Sequence, residues 1–358
     1  MSDLGEQILA GRLGMLLVNR LRIHDMHQRH PDIARQRHPD TARQRPADMA
    51  RQRPDDDEAP LFIIGLPRTG TTALSNLLAA DPQIRSLRLW ESGAPVPPPE
   101  SATQDDDPRI AETAAGLEAM YAAFPKMRSM YFQTPTGPTE CQDLLGMAFR
   151  TAQFDGMARV PSYLEWVLGC DMIPAYEMHR RTLQLLQWHC PPRRWHLKTP
   201  VHMLSLDALT AVYPDARFLW THRDPAAVLG SVCSLIAYTR SWVSDGGDDA
   251  ELGAGQVALW AEAVRRAMDF RARVGEARFA DVDFGALNSE PLSTVTAAYG
   301  RLGLELGPAG RASVQRWAAA HPAGAQGVHE YALDDFGLHP DGVRAHFGPY
   351  LERFAVPT

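Results

Sequence analysis

The sequence predicts an α/β fold in which helices flank a central parallel sheet. From Pro60 onward, short apolar runs alternate with segments of helical periodicity. Strands that alternate with helices are typical of a parallel sheet, and ligands bind beyond the carboxyl ends of its strands. A turn with two glycines, in the stretch LFIIGLPRTGTT, joins the first apolar run to a helix. This arrangement is the local pattern of a phosphate-binding loop.

Five runs are interpreted as strands, and turn residues separate them from the helices. The strands cover residues 61–65, 84–90, 194–198, 217–221 and 278–284. Helical periodicity covers residues 71–80, 204–213, 225–236 and 251–274, and further helices continue to about residue 320. Asp81 and Pro82 end the first of these helices, whereas Pro214 and Asp215 turn the chain into the fourth strand.

Two segments precede this α/β region. Residues 1–26 are expected to form an amphipathic helix, and residues 27–58 contain four copies of an eight-residue repeat. Every copy contains a proline and almost no apolar residue, so the repeat cannot bury a core. We interpret it as a flexible or loosely helical insert. The domain itself is expected to span residues 59–358, with a helical insertion at about 108–190.

The overall composition narrows the class of protein. The chain has 358 residues, 45% of them hydrophobic, and a net charge of −7, which suits a large globular core and argues against a nucleic-acid partner. No apolar run is long enough to span a membrane, and the start of the chain does not resemble a signal peptide. The four cysteines are widely spaced, so we expect reduced thiols and a cytoplasmic location.

The first candidate site is the loop itself, formed by Pro67, Arg68, Thr69, Gly70, Thr71 and Thr72. Its glycines have the spacing of a nucleotide-triphosphatase loop, but Thr71 stands where such a loop has lysine. Backbone N–H groups and the positive end of the helix can hold an anion there, and the Arg68 fork suits a phosphate or sulfate. We find no acidic residue suited to hold magnesium, and no local metal-binding motif.

The second candidate site follows the fourth strand, in THRDPAAVLGS. Arg223 comes directly after the strand, and Ser231 lies about two turns into the next helix. An arginine and a serine in these positions can both bind the same phosphate group.

A scarce lysine marks the third candidate site. Of the 36 basic residues, only Lys126 and Lys198 are lysines. Lys198 ends the third strand, in the sequence LKTP, where its compact charge would point toward the same crevice.

Together, PRTGTT, LKTP and THRDPAAVLGS resemble the sulfotransferase family that uses 3′-phosphoadenosine 5′-phosphosulfate, and especially its bacterial branch similar to the tyrosylprotein sulfotransferases. The resemblance implies a P-loop-type three-layer sandwich with extra helices. It implies that the first loop binds the 5′-phosphosulfate, and that Arg223 and Ser231 bind the 3′-phosphate. The reaction would need no metal and would release 3′-phosphoadenosine 5′-phosphate.

The resemblance also implies a general base. Sulfuryl transfer requires charge stabilisation, for which Arg68 and Lys198 are candidates, and a group that accepts the proton of the acceptor. Related enzymes use a glutamate a little over twenty residues after the loop, which matches Glu91 at the end of the second strand. Other members use a histidine shortly after a lysine. His202 is therefore the rival base, although its spacing fits less well.

The side chains of the helical insertion indicate the class of acceptor. Aromatic and methionine side chains in the helical insertion favour a small or lipidic hydroxyl, or an amine, as the acceptor. The expected partners are this acceptor and a second copy of the chain in a homodimer.

Two alternatives remain open, a P-loop kinase of nucleotides or small molecules and a non-catalytic nucleotide-binding protein. The second is favoured if Lys198 or Glu91 points away from the loop.

Overall fold

The computed structural model describes residues 2–35, 59–190, 193–244, 247–322 and 330–358. Within these ranges, a five-stranded sheet has the order β2-β3-β1-β4-β5, and every pair of neighbouring strands is parallel. The strands are β1 (Leu61–Gly65), β2 (Ile84–Ser86), β3 (Arg194–Lys198), β4 (Arg217–His222) and β5 (Phe279–Asp283). The predicted α/β fold with a central parallel sheet is therefore confirmed.

Helices cover both faces of the sheet. In chain order they are α1 (Asp3–Arg29), α2 (Thr71–Ala79), α3 (Leu89–Gly93), α4 (Pro108–Ala123), α5 (Met127–Met130), α6 (Gln142–Gly146), α7 (Gln153–Met157), α8 (Pro161–Gly169), α9 (Ile173–Gln187), α10 (Leu206–Val212), α11 (Pro225–Arg240), α12 (Asp249–Val274), α13 (Phe284–Ser289), α14 (Pro291–Arg301), α15 (Pro308–Ala320), α16 (Pro340–His346) and α17 (Gly348–Phe354). Short 3₁₀ turns cover Pro31–Arg35, Pro200–Leu204, Glu276–Arg278 and Asp334–Phe336.

Side chains of the central strand alternate between two hydrophobic layers. Leu61 and Ile63 pack with α2, α14 and α15 on one face, whereas Phe62 and Ile64 join the larger core on the other face. Because successive residues of a strand point to opposite faces, a fully apolar β1 is what a sheet covered on both sides requires. The result is the expected three-layer arrangement.

The register of the strands brings the candidate residues to one edge of the sheet. Ile63 of β1 is aligned with Lys198 of β3, and Gly65 of β1 is aligned with Thr221 of β4. Lys198, the loop after β1 and the chain after β4 therefore meet at the carboxyl ends of adjacent strands, where parallel sheets bind ligands.

The second strand is shorter than predicted. It ends at Ser86, and the expectation of a strand to Trp90 is wrong because residues 89–93 form a short helix. The Glu91 side chain itself stabilises the start of that helix, since its Oε2 accepts a hydrogen bond from the Arg88 backbone N–H at 3.1 Å.

The N-terminal helix extends beyond its predicted end. It continues to Arg29, and the 3₁₀ turn Pro31–Arg35 follows, so the first residues of the repeat are helical. The remainder of the repeat, residues 36–58, lies outside the described residues. Leu16 and Ile23 of α1 are fully buried in the main core. Among the described helices, none has both the length and the apolar composition needed to cross a membrane.

Candidate active site

The loop after β1 adopts the tight conformation that its glycines allow. Gly65 has φ 140° and Gly70 has φ 85°, which are values that favour glycine. A Cβ at Gly65 would lie 2.3 Å from the Thr221 hydroxyl, so β4 leaves no room for a side chain. Arg68 also has a positive φ, of 65°, and this unusual conformation is held by contacts on both sides of the residue.

The loop presents unpaired hydrogen-bond donors. Gly70 is the N-cap of α2, and in the described structure the backbone N–H groups of Gly70, Thr71 and Thr72 have no acceptor. Free N–H groups at the start of a helix, together with the positive end of its dipole, favour an anion. Thr71 is buried and Thr72 is exposed. The geometry of the loop therefore fits a phosphate or sulfate group.

The two phosphate-binding candidates of the sequence converge on Arg68. Its Nε donates to the Ser231 hydroxyl at 3.2 Å, and its Nη1 donates to the Met130 carbonyl at 2.8 Å. Arg223 donates from Nη1 to the Arg68 carbonyl at 3.0 Å. Arg223 also stacks on the Phe284 ring, with its guanidinium carbon 4.1 Å from the ring centre. Loop and second site thus form one continuous cationic surface.

Burial is the largest influence on the pKa of Arg68. Desolvation lowers the pKa of the Arg68 guanidinium, and the nearby Arg223 acts in the same direction. Two like charges close to one crevice make an anion a favourable ligand there.

Threonines connect the loop to its neighbours. The Thr69 hydroxyl is fully buried, donates to the Leu66 carbonyl and lies 2.6 Å from the Thr221 hydroxyl. This contact fixes the loop against β4. Thr72 lies on the other side of the loop, where its hydroxyl accepts a hydrogen bond of 3.4 Å from the Lys198 Nζ. The structure therefore brings Lys198 to the start of α2, as the sequence predicts.

Lys198 has an acidic partner that sequence reasoning missed. Its buried ammonium forms an ion pair with the Glu140 Oε1 at 2.9 Å, and Thr199 donates to the Glu140 Oε2 at 3.1 Å. Desolvation would raise the pKa of Glu140, but Lys198 and donors from Gln142 and Thr199 outweigh it, so this pKa is lowered and the carboxylate is ionised. Lys198 therefore connects Glu140 to the loop, because it contacts both Glu140 and Thr72.

The segment around Glu140 is held in place by backbone hydrogen bonds. Cys141 N–H donates to the Lys198 carbonyl at 2.9 Å, and Thr139 N–H donates to the Leu87 carbonyl at 2.8 Å. Pro138 forms an isolated antiparallel bridge with Arg88. Because these bonds join residues far apart in sequence, the position of Glu140 could not be derived from local patterns. One signal was available, since Glu140 is the only charged residue between Arg128 and Asp143.

Glu91 occupies a different environment from the one its position suggested. It is 1% exposed, and its Oε1 forms an ion pair of 2.9 Å with Arg85 while its Oε2 caps α3. Arg85 in turn donates to the Leu186 carbonyl and stacks on Trp195. Within the described residues, the hydrogen bonds of Glu91 do not reach the loop. Its role as a base stays a prediction that these contacts do not favour.

His202 lies in the core rather than at the loop. It is fully buried in the 3₁₀ turn after β3, its Nδ1 lies 2.9 Å from the Tyr176 hydroxyl, and its ring meets Phe62 edge to face. Phe62 points to the face of the sheet opposite α2. Burial and the neighbouring His179 keep the pKa of His202 well below its ordinary value. The structure therefore does not bring His202 to the loop.

The helical insertion forms the wall beside the loop. Met130, whose backbone carbonyl accepts a hydrogen bond from Arg68, is buried at the end of α5. Burial raises the pKa of the adjacent Tyr131, and Glu140 acts in the same direction. Phe132 and Trp166 are largely exposed. A groove of ≈ 590 Å³ lies elsewhere, between α8 and α12, and contains no loop residue. The insertion therefore contacts the loop through the Met130 carbonyl.

Comparison with known proteins agrees with this geometry. The sulfotransferase family matches residues 60–308, which include β1, the loop, Glu140, Lys198, Arg223 and Ser231. The chain belongs to the sulfotransferase family. The family resemblance predicted from the sequence motifs is therefore confirmed.

Two solved sulfotransferases share the fold over nearly the whole chain. Sulfotransferase STF9 from Mycobacterium avium is 29% identical, with a TM-score of 0.87 over 99% of this chain and 87% of the other. Sulfotransferase STF1 from Mycobacterium tuberculosis H37Rv is 32% identical, with a TM-score of 0.81 over 98% of this chain and 87% of the other. These structures support the P-loop-type sandwich expected from the sequence.

A further relative is a sulfotransferase named for a dihydromenaquinone acceptor. Omega-hydroxy-beta-dihydromenaquinone-9 sulfotransferase Stf3, from Mycobacterium bovis and from Mycobacterium tuberculosis, is 27% identical over 258 residues. The match covers 69% of this chain and 63% of the length of that relative.

Proposed function

We propose that this protein transfers a sulfuryl group from 3′-phosphoadenosine 5′-phosphosulfate to a hydroxyl of a small or lipidic acceptor. The observation that carries the proposal is the convergence of Arg68, Ser231 and Arg223 around unpaired N–H groups at the start of α2. A donor with phosphates at both ends of one nucleoside needs two adjoining anion sites. The loop and the Arg223 region supply them within one crevice.

The loop residues orient the donor and stabilise charge. The N–H groups of residues 70–72 and the Arg68 guanidinium hold the 5′-phosphosulfate, and Arg223 with Ser231 holds the 3′-phosphate. Lys198, which already touches Thr72, neutralises the negative charge that develops on the oxygen bridging phosphorus and sulfur as its bond to sulfur breaks. Such charge stabilisation, prepared before the reaction, is a large part of enzymatic rate enhancement.

Glu140 is the proposed general base. The acceptor oxygen forms the new bond to sulfur and loses its proton to the Glu140 carboxylate, while 3′-phosphoadenosine 5′-phosphate leaves. Glu140 is supported over Glu91 and His202 by its contact with Lys198, because that lysine joins the carboxylate to the loop. When Lys198 turns toward the donor, one Glu140 oxygen becomes available to the acceptor hydroxyl.

A lipidic hydroxyl is the proposed acceptor. The segment of the insertion that carries Met130 and Tyr131 contacts the loop, and the side chains of these two residues are apolar or aromatic. A relative is named as an omega-hydroxy-beta-dihydromenaquinone-9 sulfotransferase. The net charge of −7 argues against a polyanionic glycan. A panel of hydroxylated isoprenoid quinones, fatty alcohols and phenols, with radiolabelled donor, tests this choice. Transfer to the phenols alone would contradict a lipidic acceptor.

Ligand binding tests the donor assignment. We expect 3′-phosphoadenosine 5′-phosphate at ~100 times its dissociation constant to stabilise the fold by roughly 2.7 kcal/mol in a thermal-shift titration. AMP should give a much smaller shift, since it lacks the 3′-phosphate. A shift with ATP and magnesium, and none with the bisphosphate, would overturn the proposal in favour of a P-loop kinase. Binding of the bisphosphate without transfer to any acceptor would favour a non-catalytic nucleotide-binding protein.

A further inference from the structure

A second cluster of functional side chains lies in the core, away from the donor crevice. Cys141, His179 and His202 are each fully buried, and they come from the start of α6, from α9 and from the 3₁₀ turn after β3. One ligand atom of each residue, a sulfur and two ring nitrogens, lies within 4.8 Å of the other two. Sequence analysis predicts no metal because these residues are too far apart in the chain to form a local motif.

In each of the two histidines, one ring nitrogen has a hydrogen-bond partner and the other has none among the described residues. The Nδ1 of His179 lies 2.7 Å from the Tyr213 hydroxyl, and the Nδ1 of His202 lies 2.9 Å from the Tyr176 hydroxyl. The Nε2 atoms of both rings are buried and have no hydrogen-bond partner among the residues that the structure describes. Buried polar atoms without partners are rare in folded proteins, and each one needs an explanation.

Another buried histidine shows that this pattern is not forced by burial. His196 is 2% exposed, yet its Nε2 lies 2.8 Å from the Ser75 hydroxyl and its Nδ1 lies 2.7 Å from the Ser86 hydroxyl. The fold therefore satisfies both nitrogens of a histidine that serves only as a core residue. In His179 and His202, a tyrosine hydroxyl contacts Nδ1, and among the described residues Nε2 is left as the nitrogen available to a metal.

This arrangement has the features of a metal-binding site. Histidine ligands commonly bond a metal through one nitrogen, while the other is fixed by a hydrogen bond that sets the tautomer and the ring orientation. Tyr176 and Tyr213 would act as these orienting groups. In a zinc site with Zn–S of about 2.3 Å and Zn–N of about 2.0 Å, ligand atoms are roughly 3.5 Å apart. Because the present separations are at most 4.8 Å, binding would require the ligand atoms to approach one another by no more than about 1.3 Å.

We propose that Cys141 Sγ, His179 Nε2 and His202 Nε2 bind one thiophilic transition-metal ion, Zn²⁺ or Cu⁺. One thiolate and two imidazoles suit both ions, whereas Mg²⁺ and Ca²⁺ prefer oxygen ligands. On binding, the Cys141 thiol releases its proton to solvent and the sulfur bonds to the metal as a thiolate. No electron is transferred in this step.

The site would have a structural role close to the donor crevice. Cys141 follows Glu140 directly, and its backbone N–H donates to the Lys198 carbonyl. A metal bound to Cys141 and to two residues of α9 and the 3₁₀ turn would therefore fix the segment that carries Glu140. The inference does not depend on the sulfuryl-transfer proposal, because its test measures metal content rather than activity.

Metal stoichiometry of the untagged full-length chain tests the proposal. The protein is incubated separately with Zn²⁺ and with Cu⁺ under anaerobic conditions, passed over a chelating resin, and analysed by native mass spectrometry and elemental analysis. We expect about one ion per chain in the wild type and less than about a tenth of that in Cys141→Ala. The ion retained identifies the preferred metal.

Cys233→Ala is the matched control. Cys233 is also fully buried and free, but it packs with Leu252 and Phe336 in a separate cluster. This variant should retain the metal of the wild type. Equal retention in wild type and Cys141→Ala would overturn the proposal, because the metal would then be bound elsewhere on the chain.

A spectroscopic measurement on the wild type avoids dependence on the folding of a variant. Co²⁺ should produce a near-ultraviolet thiolate-to-cobalt charge-transfer band. Added Zn²⁺ should abolish this band. A wild-type chain that retains no Zn²⁺ or Cu⁺ and shows no thiolate–cobalt band would overturn the proposal, and an ordered water or direct contacts would then satisfy the histidines.

Discussion

Two carboxylate–cation pairs near the sheet edge differ in the other contacts that their cations make. In the first pair, Arg85 binds Glu91 and extends away from the loop to Leu186 and Trp195. In the second pair, Lys198 binds Glu140 and also contacts Thr72 at the start of α2. The Glu91 pair caps a helix, whereas the Glu140 pair is connected to the anion-binding loop. The two environments therefore differ in the further contact that each cation makes, and not in the carboxylate that it binds.

Replacing each of the two cations by alanine should give the largest difference in kcat between the two pairs. We expect Lys198→Ala to lower kcat by about 10²–10³-fold, because it removes a charge that stabilises the leaving oxygen. Arg85→Ala should keep kcat within about threefold while lowering the melting temperature, since it leaves Glu91 buried without its cation. Rates per folded molecule and thermal melts of both variants give the comparison. A larger loss of kcat in Arg85→Ala would reverse it.

The second-site arginine should affect binding rather than turnover. Arg223→Ala removes a charged contact to the 3′-phosphate and is expected to weaken affinity for 3′-phosphoadenosine 5′-phosphate by about 10–100-fold. Calorimetric titration measures this change. The affinity for AMP should stay the same, because AMP lacks the 3′-phosphate. Equal bisphosphate affinity in variant and wild type would remove Arg223 from the site.

Ser231 should have a smaller effect on the same equilibrium. Its hydroxyl contacts the Arg68 Nε and is 5% exposed. Ser231→Ala should weaken bisphosphate affinity by roughly fivefold, equivalent to about 1 kcal/mol, which is typical of one hydrogen bond. The matched control is Ser234→Ala, one turn further along α11, which should leave the affinity unchanged. A loss as large as that of Arg223→Ala would mean that Ser231 also holds Arg68 in position.

The sequence was informative wherever a motif and a strand end coincide. The bounds of β1 and β3 were predicted to the residue, and Arg68, Lys198, Arg223 and Ser231 meet at the carboxyl edge as the alternating pattern requires. These predictions succeed because parallel strands bring the residues that follow them to one edge.

The parts that were missed depend on contacts between distant segments. The second strand ends early because Glu91 caps a helix, and Glu140 reaches Lys198 through an irregular segment fixed by the Cys141 N–H. The buried cluster of Cys141, His179 and His202 arises in the same way, from three separate segments. Local periodicity contains no information about such contacts, and the family resemblance on which Glu91 was proposed offered only a spacing from Arg68.

The most direct test of the account is a comparison of Glu140→Gln with Glu91→Gln in radiolabelled sulfuryl transfer. Each substitution converts an ion-paired carboxylate into an amide of the same shape, so the two variants are matched in kind. If Glu140 is the base, Glu140→Gln should lower kcat by about 10²–10⁴-fold, and Glu91→Gln should stay within about threefold of the wild type. The reverse order would contradict the account and return the role of base to Glu91.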